Sequence, residues 1–220
     1  MHEAPGTLSG PQIKPASRGP AKQLVIILHG WGADGANLID LGHALAPILP
    51  DAFFIAPNGP AVCDMGFGYQ WFSLNIRSPS VMEAGAKQAA PAVNAFIDAQ
   101  LAAHGLAEGN LALMGFSQGT MMSLYAALRR EKPCACVVGF SGALVGAESL
   151  AGEIKSKPPV CLIHGDHDEV VPYPAMAHAA QGLQARGVPV ETHARPFLGH
   201  GIDPGGLQIA AAFLKKYLVK

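Results

Sequence analysis

Six short apolar runs alternate with helical patterns along most of the chain, and this alternation constrains the fold more than any other feature. The first five runs have no polar residue at alternate positions, which is typical of strands buried on both faces. The sixth alternates Glu191 and His193 with smaller residues. The runs are residues 24–28, 53–56, 111–114, 136–140, 160–163 and 190–195. Strands that alternate with helices favour a mostly parallel sheet with helices on both faces, so the sequence predicts an α/β fold.

The helical patterns lie between and after these runs, at residues 37–49, 86–101, 118–130, 174–186 and 207–218. Pro91 falls inside the second of them, where we expect it to kink or restart the helix. Residues 1–22 hold four prolines and three glycines, which predicts an irregular arm with one short edge strand. The sequence has no internal repeat, and its length is typical of one domain, so residues 1–220 are predicted to form a single domain.

Composition excludes several classes of protein. Lys plus Arg is 15 and Asp plus Glu is 16, so a net charge of -1 argues against nucleic acid or an anionic membrane as partner. The segment Gly109–Leu128 is uncharged, but glycine and polar residues interrupt it, so no stable membrane insertion is expected. The start of the chain does not resemble a secretory signal. The four cysteines do not suggest a disulfide framework, so we expect reduced thiols and a cytoplasmic location.

The run Gly115-Phe116-Ser117-Gln118-Gly119 follows a predicted strand and opens a predicted helix. A serine on such a sharp turn is held with its hydroxyl exposed at the carboxyl end of the sheet, and the flanking glycines give the turn room. The turn also directs the amide N–H of Gln118 towards any oxyanion that forms on an attacked carbonyl. The same five-residue pattern also arises by chance in glycine-rich loops. Whether Ser117 is a nucleophile therefore depends on the presence of a base and an acid elsewhere in the chain.

A serine nucleophile needs a base, and the base needs an orienting carboxylate, in the chain order Ser, Asp or Glu, His. Asp168 follows the fifth strand and His200 follows the sixth, both at carboxyl ends where such sheets place their sites. We therefore predict Ser117 as nucleophile, His200 as general base and acid, and Asp168 as its partner. Asp166 and Glu169 are competitors for the acid role, although Asp166 fits a turn residue better. The nearby His164 and His167 are too crowded with these acids to favour a metal site.

The first strand ends in Leu28-His29-Gly30-Trp31-Gly32, which resembles the loop that supplies a second oxyanion donor in hydrolases of this architecture. That donor would be the amide of Trp31. For His29 we favour a local hydrogen bond that holds the loop.

Taken together, these motifs resemble the phospholipase/carboxylesterase family of α/β-hydrolases, which includes the acyl-protein thioesterases. The resemblance covers nearly the whole chain and rests on residues 28–35, Gln70-Trp71-Phe72, residues 115–119, residues 164–168 with Val171-Pro172, and Gly199-His200-Gly201. It implies an α/β-hydrolase fold without a large lid, an antiparallel edge strand, and activity on short- to medium-chain acyl esters and sometimes thioesters. We expect no cofactor and no metal. It also implies that Trp71, Phe72, Trp31 and Val171 contact the substrate, although Trp71 and Phe72 could instead be core aromatics.

Two residues depart from the family pattern. Thr120 stands where a second glycine often follows the motif, and we expect it to crowd the first helical turn without removing catalysis. Trp31 stands where smaller residues are common, so we expect its ring to narrow the cleft and favour short acyl chains.

Three functions remain open at this stage. The first is a carboxylic ester hydrolase, and the second is an acyl thioesterase or lysophospholipase with the same triad. The third is a non-catalytic scaffold, which the presence of all three triad candidates disfavours. Relatives are sometimes dimers, so a homodimer is also open.

Overall fold

The computed structural model describes residues 8–219, and its strands and helices alternate along the chain. The strands are β1 (Gln12–Ile13), β2 (Gln23–Leu28), β3 (Ala52–Ile55), β4 (Ala61–Val62), β5 (Tyr69–Gln70), β6 (Leu111–Phe116), β7 (Cys136–Phe140), β8 (Val160–Gly165) and β9 (Val190–Arg195). The helices are α1 (Gly35–Leu45), α2 (Pro79–His104), α3 (Gln118–Arg129), α4 (Leu150–Glu153), α5 (Pro174–Gln184) and α6 (Pro204–Leu218).

Seven strands form one sheet in the order β1-β3-β2-β6-β7-β8-β9. Strand β1 pairs antiparallel with β3, and the other neighbours pair in parallel. This confirms the mostly parallel α/β sheet and places the expected edge strand of the N-terminal arm at β1. The part of that arm in residues 1–7 lies outside the described residues. Parallel pairing brings the carboxyl ends of β6, β8 and β9 to one edge, where the residues of interest follow them.

The helices cover both faces of the sheet. Along β2, Leu24, Ile26 and Leu28 pack into the core shared with α2, α3 and α5. The alternate residues Val25 and Ile27 pack into the core shared with α1 and α6. Because both faces are covered, every residue of this strand is buried, which explains the continuous apolar run of residues 24–28.

The structure adds details that the sequence pattern did not predict. Helix α2 runs through Pro91 without a break, so the expected restart does not occur. The hairpin of β4 and β5 and the one-turn helix α4 were not predicted, because elements of two to four residues show no periodicity. Within residues 8–219 the structure has no large lid, and none of its helices is long and apolar enough to cross a membrane.

All four cysteines are free and buried. Burial raises the pKa of Cys134 to about 12 and that of Cys161 to about 12. These thiols therefore stay protonated and are poor nucleophiles at neutral pH.

Candidate active site

Ser117 lies on a strained turn between β6 and α3. Its φ of 55° and ψ of −116° are rarely adopted by residues other than glycine. The flanking glycines are required by space, since a Cβ on Gly115 would overlap the backbone of Gly119, and a Cβ on Gly119 would overlap the carbonyl of Leu28. The amide of Ser117 donates to Phe140 O at 2.8 Å, which fixes the turn to β7. Packing against both neighbouring strands, β2 and β7, therefore keeps Ser117 in this strained backbone conformation.

Asp168 and His200 are in direct contact. His200 Nδ1 lies 2.8 Å from Asp168 Oδ2, and the Asp168 side chain is 0% exposed. The other oxygen, Oδ1, accepts hydrogen bonds from the amides of Val170 and Val171 at 2.9 Å each. Burial opposes ionisation of Asp168, but the hydrogen bonds from His200 and these two amides outweigh it and hold the pKa of the carboxyl below its usual value. Because a carboxylate only accepts, Nδ1 carries a proton, and in the neutral imidazole Nε2 is free to accept one.

An ion pair closes the loop that carries His200. Arg195, at the end of β9, places Nη2 2.8 Å from Asp203 Oδ2. Asp203 also caps α6 by accepting from the amide of Gly206 at 2.8 Å. The hydrogen bond from Arg195 lowers the pKa of Asp203, so the pair stays charged at neutral pH. This pair fixes both ends of the loop and so limits where His200 can lie.

The competing acids lie elsewhere. Asp166 Oδ1 accepts from the amide of Phe197 at 2.7 Å and contacts His167 Nδ1 at 2.6 Å on the surface. Glu169 is exposed. Asp168 is thus the one of the three candidate acids that the structure brings to His200. His193 lies within β9, where its Nε2 is 3.8 Å from Glu191 Oε2.

Ser117 and His200 line the same cavity, which has a volume of about 370 Å³. Its other lining residues are mostly apolar or small: Gly30, Trp31, Ala33, Leu74, Arg77, Met82, Phe116, Met121, Ala143, Val170, Val171, Pro172 and Ala175. The ring of His200 packs 4.8 Å from that of Phe116, next to Ser117. No hydrogen bond joins Ser117 to His200 within the described chain, and in resting hydrolases such bonds often tighten only with substrate bound.

Two backbone amides beside Ser117 have no acceptor in the described part of the chain. The loop after β2 approaches closely, since a Cβ on Gly30 would lie 3.4 Å from Ser117 Cβ. The amides of Trp31 and Gln118 donate to no acceptor among residues 8–219. Unpaired N–H groups near a nucleophile can stabilise an oxyanion, because they present fixed dipoles where negative charge develops.

His29 forms the local hydrogen bonds that we expected for it. Its Nδ1 lies 2.7 Å from Gly30 O, and its Nε2 accepts from the amide of Gly59 at 2.8 Å. The side chain is buried, and burial holds the pKa of His29 below its usual value of 6.5. A neutral imidazole is consistent with one ring nitrogen that donates and one that accepts.

This burial predicts an acid-dependent loss of stability. The unfolded chain takes up a proton on His29 below pH 6.5, whereas the folded protein does so only at lower pH. The free energy of unfolding should therefore fall as pH drops below that value, by up to about 1.4 kcal/mol per pH unit from this group. Denaturant unfolding at about pH 7.5 and about pH 5.5 measures it. His29→Gln should flatten the dependence, while His43→Gln, on the exposed side of α1, should not; equal slopes in all three proteins would contradict the expectation.

The segment Gln70-Trp71-Phe72, which we call the Gln-Trp-Phe clasp, joins the two loops that carry the unpaired amides. Trp71 Nε1 donates to His29 O at 2.9 Å, and Gln70 Oε1 accepts from Trp31 Nε1 at 2.7 Å. The side chain of Gln118 accepts from the amide of Trp71 at 3.0 Å and donates to Phe72 O at 2.7 Å. Both loops are therefore held by one short segment.

The rings of Trp71 and Phe72 are buried and line a second cavity of about 540 Å³, not the cavity that Ser117 lines. This placement agrees with the alternative of core aromatics, and it does not support their predicted contact with substrate. Trp31 and Val171 do line the Ser117 cavity.

His164 is a contact of Asp168 that sequence reasoning missed. Its buried Nε2 lies 2.8 Å from Val171 O and 3.3 Å from Asp168 Oδ2. Since a carbonyl oxygen only accepts, Nε2 carries a proton and donates towards both acceptors. His164 thereby helps to fix the loop that holds Asp168. The available signal was its position at the end of a buried strand, four residues before that aspartate. From the sequence alone, we consider His164 only as a metal ligand.

Thr120 does not crowd the first turn of α3. Its hydroxyl lies 2.8 Å from Gly115 O and 2.8 Å from Phe140 O. Its methyl group fits where Gly139 and Gly142 leave space, since a Cβ on either would overlap the Thr120 side chain.

Comparison with known proteins identifies the family. Residues 11–218 match the family model described as Phospholipase/Carboxylesterase. The chain belongs to the phospholipase/carboxylesterase family. The predicted family, the α/β-hydrolase fold and the enzyme class, a serine carboxylesterase, are thereby confirmed.

Individual proteins are similar to the chain over most of its length. The crystal structure of esterase PE8 is 44% identical with a TM-score of 0.93, and the match covers 96% of this chain and 100% of that one. A probable carboxylesterase of Oryza sativa subsp. japonica is 32% identical, over 90% of this chain and 78% of its own. Acyl-protein thioesterase 1 of Emericella nidulans is 25% identical, over 88% of this chain and 90% of its own.

Proposed function

We propose that the protein hydrolyses carboxylic esters through a Ser117-His200-Asp168 triad and an acyl-enzyme intermediate. The observation that carries this proposal is the position of His200. One of its ring nitrogens lies 2.8 Å from a buried carboxylate, and its ring lines the cavity in which Ser117 sits on a strained turn. This combination supplies the three parts that an activated serine needs: a nucleophile, a base and a group that orients the base.

In the first half-reaction, Ser117 Oγ attacks the ester carbonyl while His200 Nε2 accepts its proton. The negative charge that develops on the carbonyl oxygen is stabilised by the amides of Trp31 and Gln118. Asp168 stabilises the imidazolium and keeps its proton on Nδ1. When the tetrahedral intermediate collapses, His200 donates the proton to the departing alcohol and Ser117 remains acylated.

In the second half-reaction, water takes the place of the alcohol. His200 accepts a proton from the water, which attacks the acyl carbon and forms a second oxyanion in the same place. Collapse of this intermediate releases the carboxylic acid and returns the proton to Ser117. No atom from a metal or cofactor is required in either half.

The apolar lining of the cavity supports short- to medium-chain acyl groups as substrates, with Trp31 as the residue that limits length. Its indole is held by Gln70 and so presents a fixed wall. Trp31→Ala should shift the optimum for nitrophenyl esters to longer acyl chains and raise kcat/KM for the long chains by about 10-fold, the low end of the effect of one methylene group in an apolar pocket. Trp31→Phe should shift the chain-length optimum less, because phenylalanine keeps most of the bulk of the side chain although it loses the hydrogen bond to Gln70. An unchanged chain-length profile in Trp31→Ala would contradict this role.

The experiment that tests the proposed function is hydrolysis of nitrophenyl esters from acetate to laurate, with a matched thioester and the Ser117→Ala protein alongside. Ester turnover that peaks at short chains and disappears in the variant is the expected result. The similarity to an acyl-protein thioesterase makes thioester hydrolysis the second candidate, and activity confined to the thioester would favour it. Turnover that survives without Ser117 would overturn the triad. A cytoplasmic location and a homodimer stay predictions.

A further inference from the structure

Arg77 lies at the wall of the Ser117 cavity. It belongs to the segment between β5 and α2 and is exposed to solvent. Together with His200 it supplies the ionisable side chains among the residues that line this cavity, whose other members are apolar, small or hydroxyl-bearing. A cationic group therefore stands beside an otherwise apolar binding space.

The guanidinium of Arg77 has no acidic partner within residues 8–219. The buried or half-buried arginines Arg129, Arg130 and Arg195 are each paired with carboxylates, and Arg186 donates to backbone carbonyls. The carboxyl of Glu83 in α2 lies beside Gly146, and Glu169 in the Asp168 loop is exposed; among the described residues neither forms an ion pair with Arg77. Its donors are thus free to bind a ligand.

An unpaired guanidinium presents a planar set of donors that matches a carboxylate or phosphate. The whole chain carries a net charge of -1, so it exerts no general attraction for anions. Any preference for an anionic ester would therefore have to arise from a local group. Since Arg77 and Ser117 line one cavity of about 370 Å³, an anion bound by the first lies within a small molecule's length of the second.

We propose that Arg77 is a specificity-determining residue that selects ester substrates carrying an anionic group, such as a carboxylate, together with an apolar part. This inference rests on the proposed ester hydrolysis. It extends that function by naming the substrate class: amphipathic acidic esters.

The test compares acidic and neutral esters of matched size. Mono-4-nitrophenyl adipate against 4-nitrophenyl hexanoate places the anion on the acyl side, with the uncatalysed rate subtracted. Phenyl butyrate against its 4-carboxyphenyl analogue places it on the alcohol side. The readout is the ratio of kcat/KM for the acidic ester to that for the neutral one. We expect Arg77→Gln to lower this ratio by about 2- to 5-fold for one of the pairs, the scale of an exposed ion pair.

Two controls separate a local effect from a general one. Arg18→Gln removes another arginine without an ion-pair partner in the described chain, which lines a different cavity near the N-terminal arm. It should leave the ratio unchanged. Added salt should lower the ratio of the parent protein towards that of Arg77→Gln, because exposed charges are screened.

Equal ratios in the parent protein and Arg77→Gln for both ester pairs, with neutral esters still turned over, would overturn the specificity and leave the esterase function intact. A fall in ratio shared by Arg18→Gln would overturn it too, since the effect would then follow total charge. Absence of turnover on every ester would instead overturn the proposed function, and this inference with it.

Discussion

Replacing Ser117 by alanine is expected to lower ester turnover by roughly 10⁴- to 10⁶-fold while leaving the protein folded. The loss follows from removal of the nucleophile, since the remaining oxyanion donors and cavity supply only a small residual rate. Stability should change little, because alanine keeps the Cβ and the hydrogen bond from the backbone amide to Phe140 O that fixes the turn. Steady-state kinetics with a nitrophenyl ester and thermal unfolding measure the two effects separately.

Ser123→Ala is the matched control for this substitution. Ser123 lies in the same helix, α3, and its buried hydroxyl has no partner within the described residues. Its removal should keep full activity, so any general effect of a serine-to-alanine change near the turn will be visible. Labelling by a fluorophosphonate should occur in the parent protein and in Ser123→Ala but not in Ser117→Ala. Labelling or substantial turnover in the last protein would assign the nucleophile to another residue.

Asp168→Asn is expected to lower kcat by about 10⁴-fold with the fold preserved. Its Oδ1 accepts from two backbone amides, so an asparagine oxygen would keep that position and its NH₂ group would face His200 and His164. A donor would then meet Nδ1 of His200, which would have to give up its proton and become the acceptor. The imidazole would thus carry its proton on Nε2, where it cannot accept one from Ser117. The pH–rate profile and kcat of the variant, measured with the same ester, check this.

Asp166→Asn is the control for the acid assignment. Asp166 lies two residues away and bonds on the surface to His167 and the amide of Phe197. Near-normal activity is expected, since none of these contacts reaches His200. A large loss in this variant together with a small loss in Asp168→Asn would transfer the acid role to Asp166.

The sheet and most of its helices were predictable because they follow from residue periodicity. A run such as residues 24–28 of β2, buried on both faces, has to be apolar, and a helix such as α6 has to carry an apolar stripe. The hairpin of β4 and β5 escaped prediction because its pairing joins residues with no local pattern. Pro91 does not break α2, which continues through it and packs in the core beside α3.

The candidate site was predictable where function requires a residue at the end of a strand. Ser117, Asp168 and His200 each follow a strand whose carboxyl end reaches the same edge. The contacts of Gln118 and Trp71 were not predictable, because they join loops far apart in the chain. The contact of His164 with Asp168 spans only four residues, but it depends on the direction of the buried ring. A sequence pattern gives residue types but not the direction in which a buried ring or amide points.

The Gln-Trp-Phe clasp has a consequence for how this enzyme could be altered. The segment that follows it leads to Arg77, and the clasp itself holds the loops of Trp31 and Gln118. Exchanging residues 70–78 for those of a relative, in order to change which esters are accepted, would also shift both amides. Substrate selectivity and catalytic rate should therefore change together when this region is altered. To alter the two properties independently, an exchanged segment would need to retain Gln70, Trp71 and the backbone of Phe72.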